Sequence, residues 1–486
     1  MRWPWLSFLP GKPSLDPRRL EQSGRRFCAV AGRLAALGAA LALAACAAPA
    51  VVDVAVPAAG AAGPVRVADE RGLLDSRQAA GAVKRITQEG KTDLLAEHLA
   101  QVEQAVRSPL ALGNEARLLV DGPQTHTAMF AAIARARRSI NLKTYILESD
   151  EAGRRLADIL EAKRAEGVTV NVLYDSVGSI GTPPAYFKEL TDAGIAVCEF
   201  NPVNPLKAEG RGALNNRDHR KILVVDGETA FTGGINISAV YRSSSFSRRR
   251  KPPTPKEGWR DTHVQVSGPV VEEFQGLFLD TWEKQGCAPA LEKAGYFPRP
   301  ERRGSLPMRL VAADPGEGQS ELYVVLLSAI DRASRRAWLT YGYFVPDERM
   351  LRALRAAARR GVDVRLVLPG FSDFWAPLHA GRSRYGELLA DGVRIFERRD
   401  ALLHAKTAVI DGVWSSIGST NLDWRSFVHN YEADLIILDP AFAGQMEGLF
   451  REDEKTSHEV GLGEWRRRGI GERLKEWVAR WWEYLL

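Results

Sequence analysis

Apolar and polar positions divide the chain before any residue is asked for chemistry. After a basic stretch ending at Arg33, the run LAALGAALALAAC is apolar as far as Cys46. Residues 47 to 66 are then mostly Ala, Pro, Val and Gly without periodicity, the composition of a tether. Leu94, Leu95, Leu99 and Val102 recur at helical spacing and predict a helix. From Ser139 another rhythm begins. The strand-like run SINLKTYIL (Ser139 to Leu147) leads into a charged helix and then into the buried-type strand VTVNVLYD (Val168 to Asp175). The same order returns with RAWLTYGYFV (Arg336 to Val345), a helix around MLRALRAAARRG, and VDVRLVLPG ending at Gly370. YFKELTDAGIAVCEF from Tyr186 likewise matches YGELLADGVRIFE from Tyr385. Alternating strands and helices predict an α/β layer fold. Two such series in one chain predict duplicated halves related by a pseudo-twofold axis, the covalent counterpart of an isologous dimer.

The repetition extends to the residues that carry chemistry. DHRKILVVDGETAFTGGIN (Asp218 to Asn236) and LHAKTAVIDGVWSSIGSTN (Leu403 to Asn421) share a His, a Lys two positions on, an Asp-Gly, a small-residue pair and an Asn at identical spacing. On a strand, side chains alternate, so His219 and Lys221 share a face, as do His404 and Lys406. ILVV and TAVI are apolar and rich in β-branched residues, as strands buried beneath helices must be. Asp226-Gly227 and Asp411-Gly412 read as hairpin turns, which makes those two carboxylates structural. The returning strands bring Asn236 and Asn421 beside the His and Lys. An imidazole, an ammonium and a carboxamide on one surface suit a phosphate better than a metal ion. Two copies allow one His to attack phosphorus while the other moves the proton of the alcohol. Each ring then needs a partner on its far nitrogen. Asp261 in GWRDTHVQVSG and Glu432 in HNYEADLIILD are the expected orienting carboxylates. Tyr145 and Tyr343, at equivalent strand ends, either reach this surface or pack in the core.

The doubled HxKxxxxDxxxxxxG(G/S)xN resembles the phospholipase D superfamily. DHRK, TGGIN, LLHAK, GSTNLDWRS and Asn430-x-Glu432 resemble its bacterial cardiolipin synthase branch, over residues from about 110 to the C terminus. The resemblance implies two α/β/α halves with the site at their interface and no metal or other cofactor. It also implies transfer of a phosphatidyl group through a phosphohistidine onto phosphatidylglycerol, giving cardiolipin. It counts His219, Lys221, Asp226, His404, Lys406 and Asp411 as the catalytic set, with Asn236 and Asn421 binding substrate. His219 is implied as nucleophile and His404 as acid and base. The expected partners are phosphatidylglycerol, a second phospholipid and a membrane surface. Hydrolysis to phosphatidic acid would use the same residues, and cleavage of a nucleic-acid diester shares the chemistry.

Charge and leader alter this picture in two ways. Of the formal net charge of +6, most lies in residues 1 to 45, where seven basic residues face Asp16 and Glu21. Without that segment the chain is near neutral, which argues against nucleic acid as partner. A basic lead, an apolar core too short to span a bilayer and Leu43-Ala44-Ala45-Cys46 predict a signal peptide of lipoprotein type, with Cys46 lipidated. The expected division is thus leader 1–45, tether and helical segment 46–109, first half 110–297 and second half 298–486. The boundary between halves falls in the Pro-rich, charged stretch CAPALEKAGYFPRPERRGSLP. The expected place is the bacterial cell envelope, anchored to a membrane and facing the periplasm. Many relatives of this branch carry N-terminal transmembrane helices, and here the lipoprotein-like leader stands in their place. Whether Cys198 and Cys287 pair is left open by the sequence. The loop with Arg248-Arg249-Arg250-Lys251 is solvated or meets anionic headgroups. In the last helix, Leu474, Trp477, Val478, Trp481 and Leu485 share one face, which either packs on the body or docks at a membrane.

Overall fold

The computed structural model describes residues 63–90, 92, 94–203, 215–245, 258–315, 320–481 and 483. All of them belong to one compact unit, Asp53–Leu486. The leader, Cys46, the tether up to residue 62, the run Arg248 to Lys251 and Leu485 lie outside the described residues.

The expected strands form where β-branched runs meet helices on both sides. In the first half, Ala196–Phe200, Thr169–Asp175 and Ser139–Thr144 pair in parallel, then Ile222–Val225, Thr229–Gly233, Thr262–Ser267 and Leu110–Val120 follow antiparallel. The second half repeats that order with Arg394–Arg398, Asp363–Pro369, Arg336–Tyr341, Lys406–Ile410, Trp414–Gly418, Asn430–Leu438 and Leu306–Ala313. The two series meet edge to edge, with Leu306 opposite Asn114 and Met308 opposite Ala111. One sheet therefore runs through both halves, and its strand order reads the same from either end.

Helices cover both faces. Asp121–Arg135, Glu151–Ala165 and Pro184–Asp192 bury Ile133, Leu156, Leu160 and Leu190 against one face of the first half. On the other face, a core shared by both halves gathers Val271 and Phe274 with Met308, Trp338, Phe442 and Phe450. Helix starts are fixed by side-chain caps: Asp150 accepts from the amides of Ala152 and Gly153, and Asp439 from that of Phe442 ahead of Pro440. The helix predicted from Leu94, Leu95, Leu99 and Val102 spans Leu94–Val102 and buries all four. Cys198 and Cys287 are joined by a disulfide.

Candidate active site

The two His-x-Lys segments enter the sheet at the seam. The His219 amide donates to the Tyr431 carbonyl (2.9 Å), and the His404 amide to the Arg260 carbonyl (2.8 Å), so each segment is held by a strand of the opposite half. Strand alternation leaves His219 and Lys221 on one side and sends Arg220 to the other. Lys221 donates to the His219 carbonyl and Lys406 to that of His404. Beyond the strands, Asp226 (φ 57°) and Gly227 (φ 68°) form a left-handed turn, matched by Asp411 (φ 51°) and Gly412 (φ 68°). The Asp226 carboxylate accepts from the amides of Arg137, Arg138 and Ser139 at 2.7–3.1 Å. Asp411 does the same for Ser334, Arg335 and Arg336 at 2.8–2.9 Å. Both carboxylates are spent on holding the turn, Asp411 also accepting from the hydroxyls of Ser334 and Thr92, roughly 20 Å along the strand from the imidazoles. They are not brought to the site.

The orienting carboxylates arrive crosswise. Glu432 of the second half takes the Nδ1 of His219 at 3.0 and 3.1 Å, and Asp261 of the first half takes the Nδ1 of His404 at 2.7 Å. Neither carboxylate is exposed to solvent. With Nδ1–H donated, each ring keeps its Nε2 lone pair for chemistry. Asn430 Nδ2 donates to Glu432 (3.1 Å), and Asp261 accepts from the Thr262 amide (2.8 Å), so both carboxylates are themselves held. Glycine matters at position 234, because a Cβ there would lie 2.1 Å from Asp261 Oδ1. Tyr145 meets the His219 ring edge-on at 4.9 Å, and Tyr343 the His404 ring at 6.2 Å, with Lys221 and Lys406 over the respective phenols. Asn236 accepts from the Ile146 amide and donates to the Tyr241 hydroxyl. The Asn421 carboxamide oxygen is buried without a partner, an acceptor suited to a hydroxyl donor and not to a phosphate oxygen.

Comparison with known proteins agrees with this geometry. A family profile described as cardiolipin synthase, PLD-like domain, matches residues 129–245 and 326–454, one segment in each half. The chain belongs to this cardiolipin synthase-type, PLD-like family. Cardiolipin synthase A of Pseudomonas fluorescens strain SBW25 is 39% identical over 377 residues, covering 77% of this chain and 75% of the relative. Cardiolipin synthase of Listeria innocua is 34% identical over 374 residues, covering 76% and 75%. Among solved structures, phosphatidylserine synthase of Haemophilus influenzae Rd KW20 superimposes with a TM-score of 0.60, covering 79% of this chain and 99% of that one. At 15% identity it shares the fold.

Electrostatically, this PLD-like site is not symmetric. Burial pushes the Glu432 carboxyl up to about 7, against the pull of Lys221. Burial also acts upward on Asp261, but His404 and Lys406 together hold that carboxyl below its ordinary value. Burial, then Lys221 and Lys406, drives His219 well below the usual imidazole value. Burial and Lys406 lower His404 too, with Asp261 opposing them. The ammonium groups are also strained by burial, Lys221 down to about 7 and Lys406 down to about 8. A desolvated, cationic surface of this kind gains most when an anion enters it.

Several residues of this family member were not singled out by sequence. Tyr241 stands 3.4 Å from the Nδ1 of His404 and links it to Asn236. Behind the His219 strand, Arg220 pairs with Asp218 (2.9 Å) and Asp314 (3.3 Å), while fully buried Lys143 reaches Asp218 (3.4 Å) and Thr281 (2.6 Å). Arg220 and Asp314 also line a cavity of about 360 Å³ on the face turned from the imidazoles. Asp453 binds Arg260 through both oxygens (2.7 Å each) and also reaches Arg398, which fixes the strand leading to Asp261. The second copy has Leu403 and Ala405 where the first has Asp218 and Arg220, and there the back face is apolar. Among the described residues, no group of three or more His, Cys, Asp or Glu is placed to hold a metal ion.

Proposed function

We propose that this chain is a phosphatidyl transferase that makes cardiolipin through a phosphohistidine. The observation that carries the reading is the pair of imidazoles, each oriented by a buried carboxylate of the opposite half, with two lysines beside them. Relatives named cardiolipin synthase support it.

His219, neutral because of its depressed basicity, offers its Nε2 lone pair to the phosphorus of a donor phospholipid. His404, backed by an ionised Asp261, carries the proton that the departing headgroup alcohol takes up. In the second half-reaction, His404 Nε2 removes the proton from a hydroxyl of phosphatidylglycerol. That oxygen attacks phosphorus, breaks the P–N bond and restores His219. Lys221, Lys406, Asn236 and Asn421 offset the charge on the non-bridging oxygens. Asp226 and Asp411 serve by holding the hairpins. Placement on a membrane of the bacterial envelope fits phospholipid substrates, and a Cys198–Cys287 disulfide fits an oxidising compartment facing the periplasm.

The test is to mix the full chain with phosphatidylglycerol, quench in acid-avoiding conditions and map adducts by mass spectrometry. A phosphatidyl group on His219 that vanishes in His219→Ala is expected, and in His404→Ala it should accumulate only from phosphatidyl-p-nitrophenol, whose leaving group departs without a proton. An adduct on His404 alone would reverse the assignment. Absence of cardiolipin in a host lacking its own synthases, with the protein folded and membrane-bound, would sink the transferase reading.

A further inference from the structure

The last helix carries its polarity the wrong way round for a helix that packs on a protein. Ile470–Arg480 turns Ala479 and Glu476 inward, with Ala479 against Val345 and Ala380. Glu476 is tied to Arg468 (2.6 Å), and Glu483 just beyond is tied to Arg384 (2.9 Å). Its apolar stripe faces out instead: Ile470 is 84% exposed, Leu474 58%, Trp477 53% and Trp481 54%. An ordinary surface helix buries such a stripe. Of the ten large apolar side chains exposed among the described residues, seven lie on this helix and at the start of the helix it packs on, Trp375–Arg382. Those at the start are Phe374 and Trp375.

That second element leads directly to the site. Asp373, next to Phe374, accepts the Tyr343 hydroxyl proton at 2.7 Å, and Tyr343 abuts the His404 ring. The loop holding Phe374 follows the parallel strand Asp363–Pro369, and the equivalent loop after Thr169–Asp175 carries Ile180, 74% exposed. Both stand at the carboxyl ends of parallel strands, where α/β sheets place their ligands. Arg466, Arg467, Arg473, Lys475 and Arg480 are exposed along the same segment as the tryptophans. Trp at a polar boundary with basic neighbours is the chemistry that recognises an anionic lipid interface.

We propose that this outward stripe, with Phe374 and Trp375, docks on an anionic bilayer and sets the mouth of the His404 half-site against the headgroups. This rests on the reading of the chain as an enzyme of phospholipids. It names the surface by which the body, as distinct from any N-terminal anchor, engages the membrane.

Full-length protein is reconstituted with vesicles of phosphatidylglycerol and phosphatidylethanolamine whose acyl chains carry bromine, and tryptophan quenching is compared between wild type and W477F/W481F. The expected result is a quenchable fraction in wild type that falls in the variant. In parallel, L474D/W477D should raise the half-saturating vesicle lipid about tenfold or more. Its maximal rate, and its turnover of short-chain phosphatidylglycerol dissolved as monomers, should be unchanged. Equal quenching in both proteins overturns the proposal, as does an equal loss on dissolved and vesicle lipid. Sedimentation showing that L474D/W477D dissociates a dimer, without any change in quenching, would overturn it in favour of a second copy as the occupant. Quenching as expected in a wild type that turns over neither lipid form would leave docking standing and refute the phospholipid-enzyme reading instead.

Discussion

Asp261→Asn separates the two imidazoles by task. The substitution keeps the shape of a side chain that holds His404 Nδ1 at 2.7 Å in a fully buried setting, and removes only its charge. A hydrogen bond to a charged group contributes about 1.5–3 kcal/mol. At 1.36 kcal/mol per factor of ten, its loss disfavours the protonated imidazole by about 10- to 150-fold. The sign follows from the charge: Asp261 raises His404, so its neutralisation lowers it further. At neutral pH, less His404 is then protonated, and the first half-reaction slows by about 10- to 150-fold. The descending alkaline limb of its pH profile moves to lower pH by the same amount. Single-turnover release from phosphatidylglycerol measures the loss. Release from phosphatidyl-p-nitrophenol supplies the contrast, because p-nitrophenolate departs without a proton and should be slowed far less. An Asp261→Asn enzyme slowed equally on both substrates would refute the role of His404 as acid.

Other consequences are independent of that one. Asp226→Ala strips three backbone amides of their acceptor and should cost about 2–4 kcal/mol in stability. Thermal unfolding should show it, while activity per folded molecule stays within a few-fold; a loss like that of His219→Ala would make Asp226 catalytic after all. Gly234→Ala places a Cβ 2.1 Å from Asp261 Oδ1 and should mimic Asp261→Asn in the leaving-group contrast, at a cost of about 1–3 kcal/mol in stability read from thermal unfolding. Lys221 and Lys406, held at about 7 and about 8, lose charge as pH rises, so KM for phospholipid should climb between pH 7 and 9. Because an anion favours their charged forms, substrate should bind with proton uptake at pH 8. Calorimetry in two buffers of different ionisation enthalpy would show no difference if this were wrong.

The strands and the repeat were legible because each depends on local pattern. ILVV and TAVI need burial on both faces, and the Asp-Gly pairs need left-handed turns, wherever the rest of the chain lies. The site was half legible. His, Lys and Asn sit at fixed spacing on one hairpin, but which carboxylate serves which imidazole depends on the seam between Leu110–Val120 and Leu306–Ala313. No spacing encodes that seam. The Cys198–Cys287 bridge is hidden for the same reason, its partners being 89 residues apart. Lys143 reads as the polar position of an alternating strand, yet it is fully buried on a charge network with Asp218. In the last helix, periodicity told which residues share a face but not that the face is turned outward.

The crosswise hold of each imidazole also bears on ancestry. In a dimer of identical half-length chains, a mutation to one orienting carboxylate is made twice, and both imidazoles must keep the same proton affinity. Joining the halves in one gene lifts that restriction. Here one copy has settled on Asp261 and the other on Glu432, a difference of one methylene, and the two pairs have parted, one holding an ionised carboxylate and the other raised to about 7. Division of labour between nucleophile and acid could thus be inherited as a sequence difference. Having diverged, each half keeps the counterpart of the other's His, and a chain cut between them would leave two fragments that are each other's only suitable mate.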